Sequence, residues 1–188
     1  MLLPAMTAPS LPRSDGALPH PIDVLRAEHR IVLTVLDQME AECRRMATHG
    51  GLRAAFWQPL LAFFDSFHDQ CHHVKEERLL FPLLDAPNQQ GSGPAMALRL
   101  DHERGRVWRN RIQEALIQGD APRLLAAVAS FLDHQRQHIH KEDQLVFPLA
   151  MRILSARDVE RLSAAFAAAD DETPLREPQP ISIDQLQG

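Results

Sequence analysis

Apolar residues recur along most of this chain at alternating spacings of three and four, the period of helices with one buried face. Ile22, Leu25, His29, Val32, Leu36, Met39 and Cys43 share one seam of a first helix, which only His29 interrupts. The "HGG" at 49–51 stops that helix, and a second is expected from about Pro59 to the "FP" at 81–82. "DAPNQQGSGP" at 85–94 reads as a loop. A third helix is expected from about Pro94 to Gln118, where Gly119 ends it, and a fourth from Pro122 to Phe147 and Pro148. A short fifth helix, Ser155 to Ala169, opens on Ser155 as N-cap with Asp158 three residues on. Long helices with short connections favour antiparallel neighbours. The predicted fold is therefore all-α: an up-down-up-down four-helix bundle with a short C-terminal fifth helix. Residues 1–20 and 170–188 are Pro-rich or acidic without periodicity and read as mobile tails around one domain, 21–169.

The second and fourth helices carry nearly the same text. "CHHVKEERLLFPL" at 71–83 returns as "QHIHKEDQLVFPL" at 137–149, so that His68 aligns with His134, His72 with His138, Lys75 with Lys141, and Glu76 with Glu142. A weaker echo joins the first and third helices, where "LRAEH" at 25–29 resembles "LRLDH" at 98–102. Each half thus reads as a helical hairpin with a His on its first helix and a His-x-x-x-Glu on its second. Paired around a pseudo-twofold axis, two such hairpins bring His29, His72, His102, His138, Glu76 and Glu142 into one interior.

In the first copy, both His72 with Glu76 and His73 with Glu77 have the i, i+4 spacing that stacks side chains on one face. The second copy discriminates between them. At about 100° per residue His138 and Glu142 join the stripe of Leu124, Val128, Phe131 and Leu145, while His140 points away. The match selects His72 and Glu76 and leaves His73 and Glu77 toward solvent. His20, His49 and His140 read as ordinary histidines. His68 and His134, each one turn before a selected His, are placed to complete a coordination sphere or to support a ligand from behind. Cys71 reads as apolar packing, Lys75 and Lys141 as solvation beside the site, and Arg99, Arg104, Arg106, Arg109 and Arg111 as a solvated face.

Ionised glutamates on a buried stripe are costly unless paired or bound to a cation. Imidazole and carboxylate together, twice over, suit two iron or manganese ions with bridging carboxylates, whereas zinc needs fewer ligands.

Composition narrows the function classes. A net charge of -5 and a pI near 6.0 give no electrostatic attraction to nucleic acid or anionic lipid, so neither partner is expected. The two cysteines make no disulfide framework, and no apolar run approaches the ~20 residues of a membrane span. Without a secretory signal either, a cytoplasmic location is expected. Gly-rich phosphate loops and Cys-x-x-Cys pairs are absent from the sequence.

The motifs "EH" at 28–29, "CHHVKEERLLFP" at 71–82, "DHERGR" at 101–106 and "HIHKEDQLVFP" at 138–148, in that order, resemble the hemerythrin-like, or HHE cation-binding, family of four-helix-bundle di-iron proteins. The resemblance covers roughly residues 21–152. It implies two non-haem iron ions, carboxylate- and oxo-bridged, with His29, His72, His102 and His138 as terminal ligands and Glu76 and Glu142 as bridges. Manganese or zinc are the alternative metals. The chain departs from the oxygen-carrying hemerythrins at two places. Arg106 stands where they have a second third-helix His, and Glu142 lies four residues after its His where they have an Asp five after. It is closer to the bacterial branch associated with oxygen or nitric oxide sensing, redox response, iron handling and repair of damaged iron centres. The expectation is binding or sensing of oxygen, nitric oxide or peroxide, passed to a separate output protein. The rival is a redox enzyme or iron-handling protein.

Overall fold

In the computed structural model, described for residues 18–85 and 92–172, every regular element is a helix. Helix α1 is Pro21–His49, closed by Gly50 at φ 69°. Helix α2 spans 54–84 without a break, but two of its stretches, Phe64–His72 and Lys75–Leu80, are π-helical. Helix α3 is Ser92–Gln118. Helix α4 spans 121–153, with a π-helical stretch at Glu142–Val146, and α5 is Ala156–Glu172. The start of α2 lies before the expected Pro59, because Phe56 and Trp57 are core residues and their burial draws the first turn into the helix. Ser155 and Asp158 form the predicted cap of α5, each side chain bonding the other's backbone or hydroxyl. That helix continues past Ala169 to Glu172, so Asp170 belongs to it and not to a tail. The N-terminal residues 1–17, most of the loop at 85–94 and residues 173–188 lie outside the described residues.

The antiparallel order is read directly from ion pairs. Glu28 meets Lys75 while Glu42 meets Arg53, so α2 descends as α1 ascends. Glu77 meets Arg106 and Asp69 meets Arg109 across α2 and α3. Asp101 meets Lys141 and Glu114 meets Arg123 across α3 and α4, and Asp37 and Glu40 meet Arg136 between α1 and α4. Gly105 lets α3 approach α4 closely, since a Cβ there would stand 2.9 Å from Gln135 Nε2.

The core is divided in two. One apolar cluster runs from Val32 to Met46 on α1 and includes Trp57, Phe64, Phe67, Ile112, Val128 and Phe131. The other holds Ile22, Leu25, Leu80, Phe81, Leu98, Phe147 and, from α5, Leu162 and Phe166. Each of the four long helices passes through both clusters, and between them lies a layer of buried His and Glu.

Far from that layer, Glu42 is buried against Arg45 and Arg53. Burial alone would raise its pKa, but bonds from both guanidinium groups hold it below the usual carboxylate range. A group held low stabilises the fold above its unfolded pKa, and that stability is lost as pH falls through the folded value. Glu42→Gln is therefore expected to cost about 2 kcal/mol at neutral pH, a charged hydrogen bond's worth, in urea denaturation. The gap to wild type should narrow as pH drops below about 4.5.

Candidate metal centre

Two groups of ligand-type side chains occupy the polar layer. His29, His72, Glu76 and Glu142 form one, and His73, Glu76, His102 and His138 the other; within each, one potential ligand atom per residue lies within 4.8 Å of all the rest. All six residues selected by the repeat are brought together, from four different helices. Glu76 and Glu142 are the hinge of the arrangement, both 0% exposed. Glu76 faces His72 Nε2 at 3.6 Å and His102 Nε2 at 3.4 Å. Glu142 faces His29 Nε2 at 3.1 Å, His138 Nε2 at 3.2 Å and His102 Nε2 at 3.8 Å. Each carboxylate thus touches imidazoles from both halves of the chain, the placement a bridging ligand needs.

The imidazoles are held from behind. His29 Nδ1 donates to Asp143 at 3.0 Å, His72 Nδ1 to Glu28 at 2.9 Å and His102 Nδ1 to Glu77 at 2.6 Å. A carboxylate on Nδ1 fixes the tautomer and turns the Nε2 lone pair inward, as metal-bound histidines require. Glu77 and Asp143 are repeat equivalents, each following a central Glu and each supporting a His on another helix. Glu77 is thus a half-buried partner of His102, where the sequence placed it toward solvent.

The donor set fits a cation. Among the described residues, the buried side-chain nitrogens and oxygens without a hydrogen-bond partner belong, apart from Trp57 and Asp85, to His29, His73, Glu76, His102, His138 and Glu142. Such groups are expensive to bury unless something satisfies them. Protonation divides between them unevenly. Burial, then the charge of Glu142, pushes Glu76 up to about 8. Glu142, against the same burial, is held well below its ordinary value by His138, His102 and His29. Burial opposes but does not prevent a rise of His29 to about 10, driven by Asp143 and Glu142. His138 is pushed down to about 3 by burial, with the positive charge of His102 adding to it. Positive charge is thus favoured only on His29 and His102, beside the carboxylates, while His72, His73 and His138 are kept neutral, the form in which an imidazole can bind a cation.

The profile of the hemerythrin HHE cation-binding domain matches residues 20–150. The chain belongs to the hemerythrin HHE cation-binding domain family. It is also 31% identical over 90 residues to the iron-sulfur cluster repair protein YtfE of Musicola paradisiaca (strain Ech703), a match covering 43% of this chain. The chain covers 40% of that relative's length. No solved structure matches the chain. No helix among the described residues is long and apolar enough to cross a membrane.

Three further sequence expectations for this HHE domain are corrected. His73, expected toward solvent, is buried and stacks on His102 with ring centroids 3.7 Å apart. Leu145, expected on the buried stripe, is 67% exposed, and Val146 is buried in its place. The Leu145 error comes from the π-helical stretch at Glu142–Val146, where i→i+5 pairing turns the chain less per residue than an α-helix does. A signal for His73 was present: the repeat aligns it with Ile139, an apolar core residue.

The third correction is Lys75, expected in solvent but 0% exposed. Its ammonium sits between Glu28 and Asp170 of α5. Burial opposes its charge, but Glu28 and Asp170 raise its pKa and keep it protonated. Lys141, its repeat equivalent, pairs with Asp101 and remains 46% exposed. The remaining expectations divide. His68 contacts His73 and Asp69, and His134 Nε2 donates to the Asp101 carbonyl at 2.8 Å; neither belongs to the two central groups. Cys71 is buried, and burial followed by the Glu28 charge pushes its thiol up to about 12. Arg99, Arg104 and Arg106 pair with neighbouring acids and Arg111 stacks on Trp108, while Arg109 is largely buried between Asp65 and Asp69.

Proposed function

We propose that the chain holds two iron ions in this layer, with His29, His72, His102 and His138 as terminal ligands and Glu76 and Glu142 as bridges, and that it binds oxygen, nitric oxide or peroxide there. The observation that carries the reading is the contact of each central glutamate with imidazoles from both halves, in a layer whose facing nitrogens and oxygens lack hydrogen-bond partners. A bound iron pair supplies Lewis acidity and one-electron redox chemistry. The chain supplies fixed imidazoles, compensating carboxylates and enclosure. Glu76 and Glu142 are wholly buried with an apolar cluster on either side, an enclosure that favours a small ligand.

A second reading has its own support. The relative's name assigns it to iron-sulfur cluster repair, which favours iron handling: this chain would deliver or accept iron at damaged centres. Anaerobically purified protein should contain two irons per chain, and His72→Ala or His138→Ala should each lower that number. Stoichiometric, reversible nitric oxide or oxygen binding without turnover supports the first reading. Loss of iron to a cluster-free acceptor protein, with reactivation of the acceptor, supports the second. A chain that takes up no iron fails both.

A further inference from the structure

We infer that His73 is a fifth nitrogen donor to this centre, so that the two metal positions are unequal: His73, His102 and His138 serve one, His29 and His72 the other. The inference rests on the di-metal reading above and deepens it.

His73 is 2% exposed, yet neither ring nitrogen has a hydrogen-bond partner. A buried imidazole in that condition is an unexplained cost to the fold. Its ring lies almost parallel to that of His102, 15° apart, and edge-on to that of His138, which brings three imidazoles to one side of Glu76. His73 does not belong to the group around His29 and His72. Asp69 Oδ1 stands 3.1 Å from His73 Nδ1, without the alignment of a hydrogen bond. That carboxylate is itself anchored by Arg109.

The asymmetry lies in the residue type, since His73 and its repeat equivalent Ile139 are both buried. The stretch Phe64–His72 is π-helical, and His73 ends it; the corresponding part of α4 is regular α-helix through Lys141. On α4 the equivalent position is Ile139, a residue that packs and cannot ligate. The third-helix position that could have supplied another imidazole is Arg106, engaged by Glu77 and Glu103. The nitrogen therefore comes from α2, on one side of the pseudo-twofold axis only.

The test is a titration of chelator-stripped protein with Co²⁺, followed by calorimetry and visible absorption, alongside a ⁵⁷Fe Mössbauer spectrum of the iron-loaded chain. Wild type should take up two ions in two distinguishable steps and show two unequal iron doublets. His73→Ile copies the residue of the other half and should preserve the fold, monitored by helical circular dichroism. It should weaken one Co²⁺ step by about tenfold or more while leaving the other unchanged, and should alter one doublet only. His73→Ala should behave alike, with added imidazole restoring the lost step. Two ions bound by wild type and by both variants in the same manner, with unchanged spectra, would overturn the role of His73 and leave the di-metal reading intact. No uptake by wild type would overturn both.

Discussion

Chelator-treated protein carrying Glu76→Leu and Glu142→Leu together is expected to melt at a higher temperature than chelator-treated wild type, and to gain nothing from iron. Both carboxylates are wholly buried and lack hydrogen-bond partners. With the carboxylates gone, His29 and His102 lose the charges of Glu76 and Glu142 that favour their protonation. The change thus replaces a buried ionic cluster by apolar and neutral groups, which is commonly neutral or stabilising by about 1–4 kcal/mol. Wild type should respond in the opposite sense. An ion that binds only the folded state, at a concentration roughly a thousandfold above its dissociation constant, adds about 4 kcal/mol. For a domain of this size that is on the order of 10 °C. The two proteins should thus exchange rank when the chelator is exchanged for anaerobic ferrous iron in a scanning calorimeter. A double variant that melts below wild type in chelator would show that the glutamates serve the fold itself, and the case for a cation between them would fall.

Lys75→Met should be the most damaging single change outside the ligand set. The ammonium is fully buried between Glu28 and Asp170, so its removal strands the Glu28 carboxylate in the interior with only His72 to face. Removing one member of a buried pair costs about 3–5 kcal/mol. Most of that should return in the double variant Lys75→Met with Glu28→Gln, because the stranded charge is then gone as well; urea denaturation of the four proteins gives the coupling directly. Lys141→Met is the internal control. It alters the repeat-equivalent lysine, which is half exposed, and should cost less than about 1 kcal/mol. Equal costs at the two lysines would mean that the burial of Lys75 is energetically unimportant.

The helices, their order and the six central side chains were legible because each leaves a periodic or repeated trace. Ile22 to Met39 keep one α-helical phase, and the second hairpin copies the first closely enough for His138 and Glu142 to identify His72 and Glu76. What was not legible depends on phase slips and on distant partners. A constant rotation per residue carries Leu145 inward, and the π-helical stretch at Glu142–Val146 reverses the result, while the choice of His72 set His73 toward solvent although its counterpart Ile139 is buried on a regular helix. Lys75 looked like a solvated residue because its second partner, Asp170, lies in a stretch whose acidic, Pro-containing composition resembles a tail. Only the docking of α5, through Leu162 and Phe166, shows that Asp170 is within reach. The supporting carboxylates Glu28, Glu77 and Asp143 each sit on a different helix from the imidazole they hold, so neither spacing nor charge pattern along one helix reveals them.

The division of the interior into two apolar clusters has a consequence for how the molecule comes apart. Every long helix threads both, and among the described residues the layer between them is polar, with Glu76 and Glu142 facing each other's charge at its middle. Cations seated there would act as a rivet between two blocks that otherwise share little beyond their helical backbones. Amide exchange in chelator should then show the Trp57 end and the Phe147 end opening with separate free energies, converging on one value once metal is supplied.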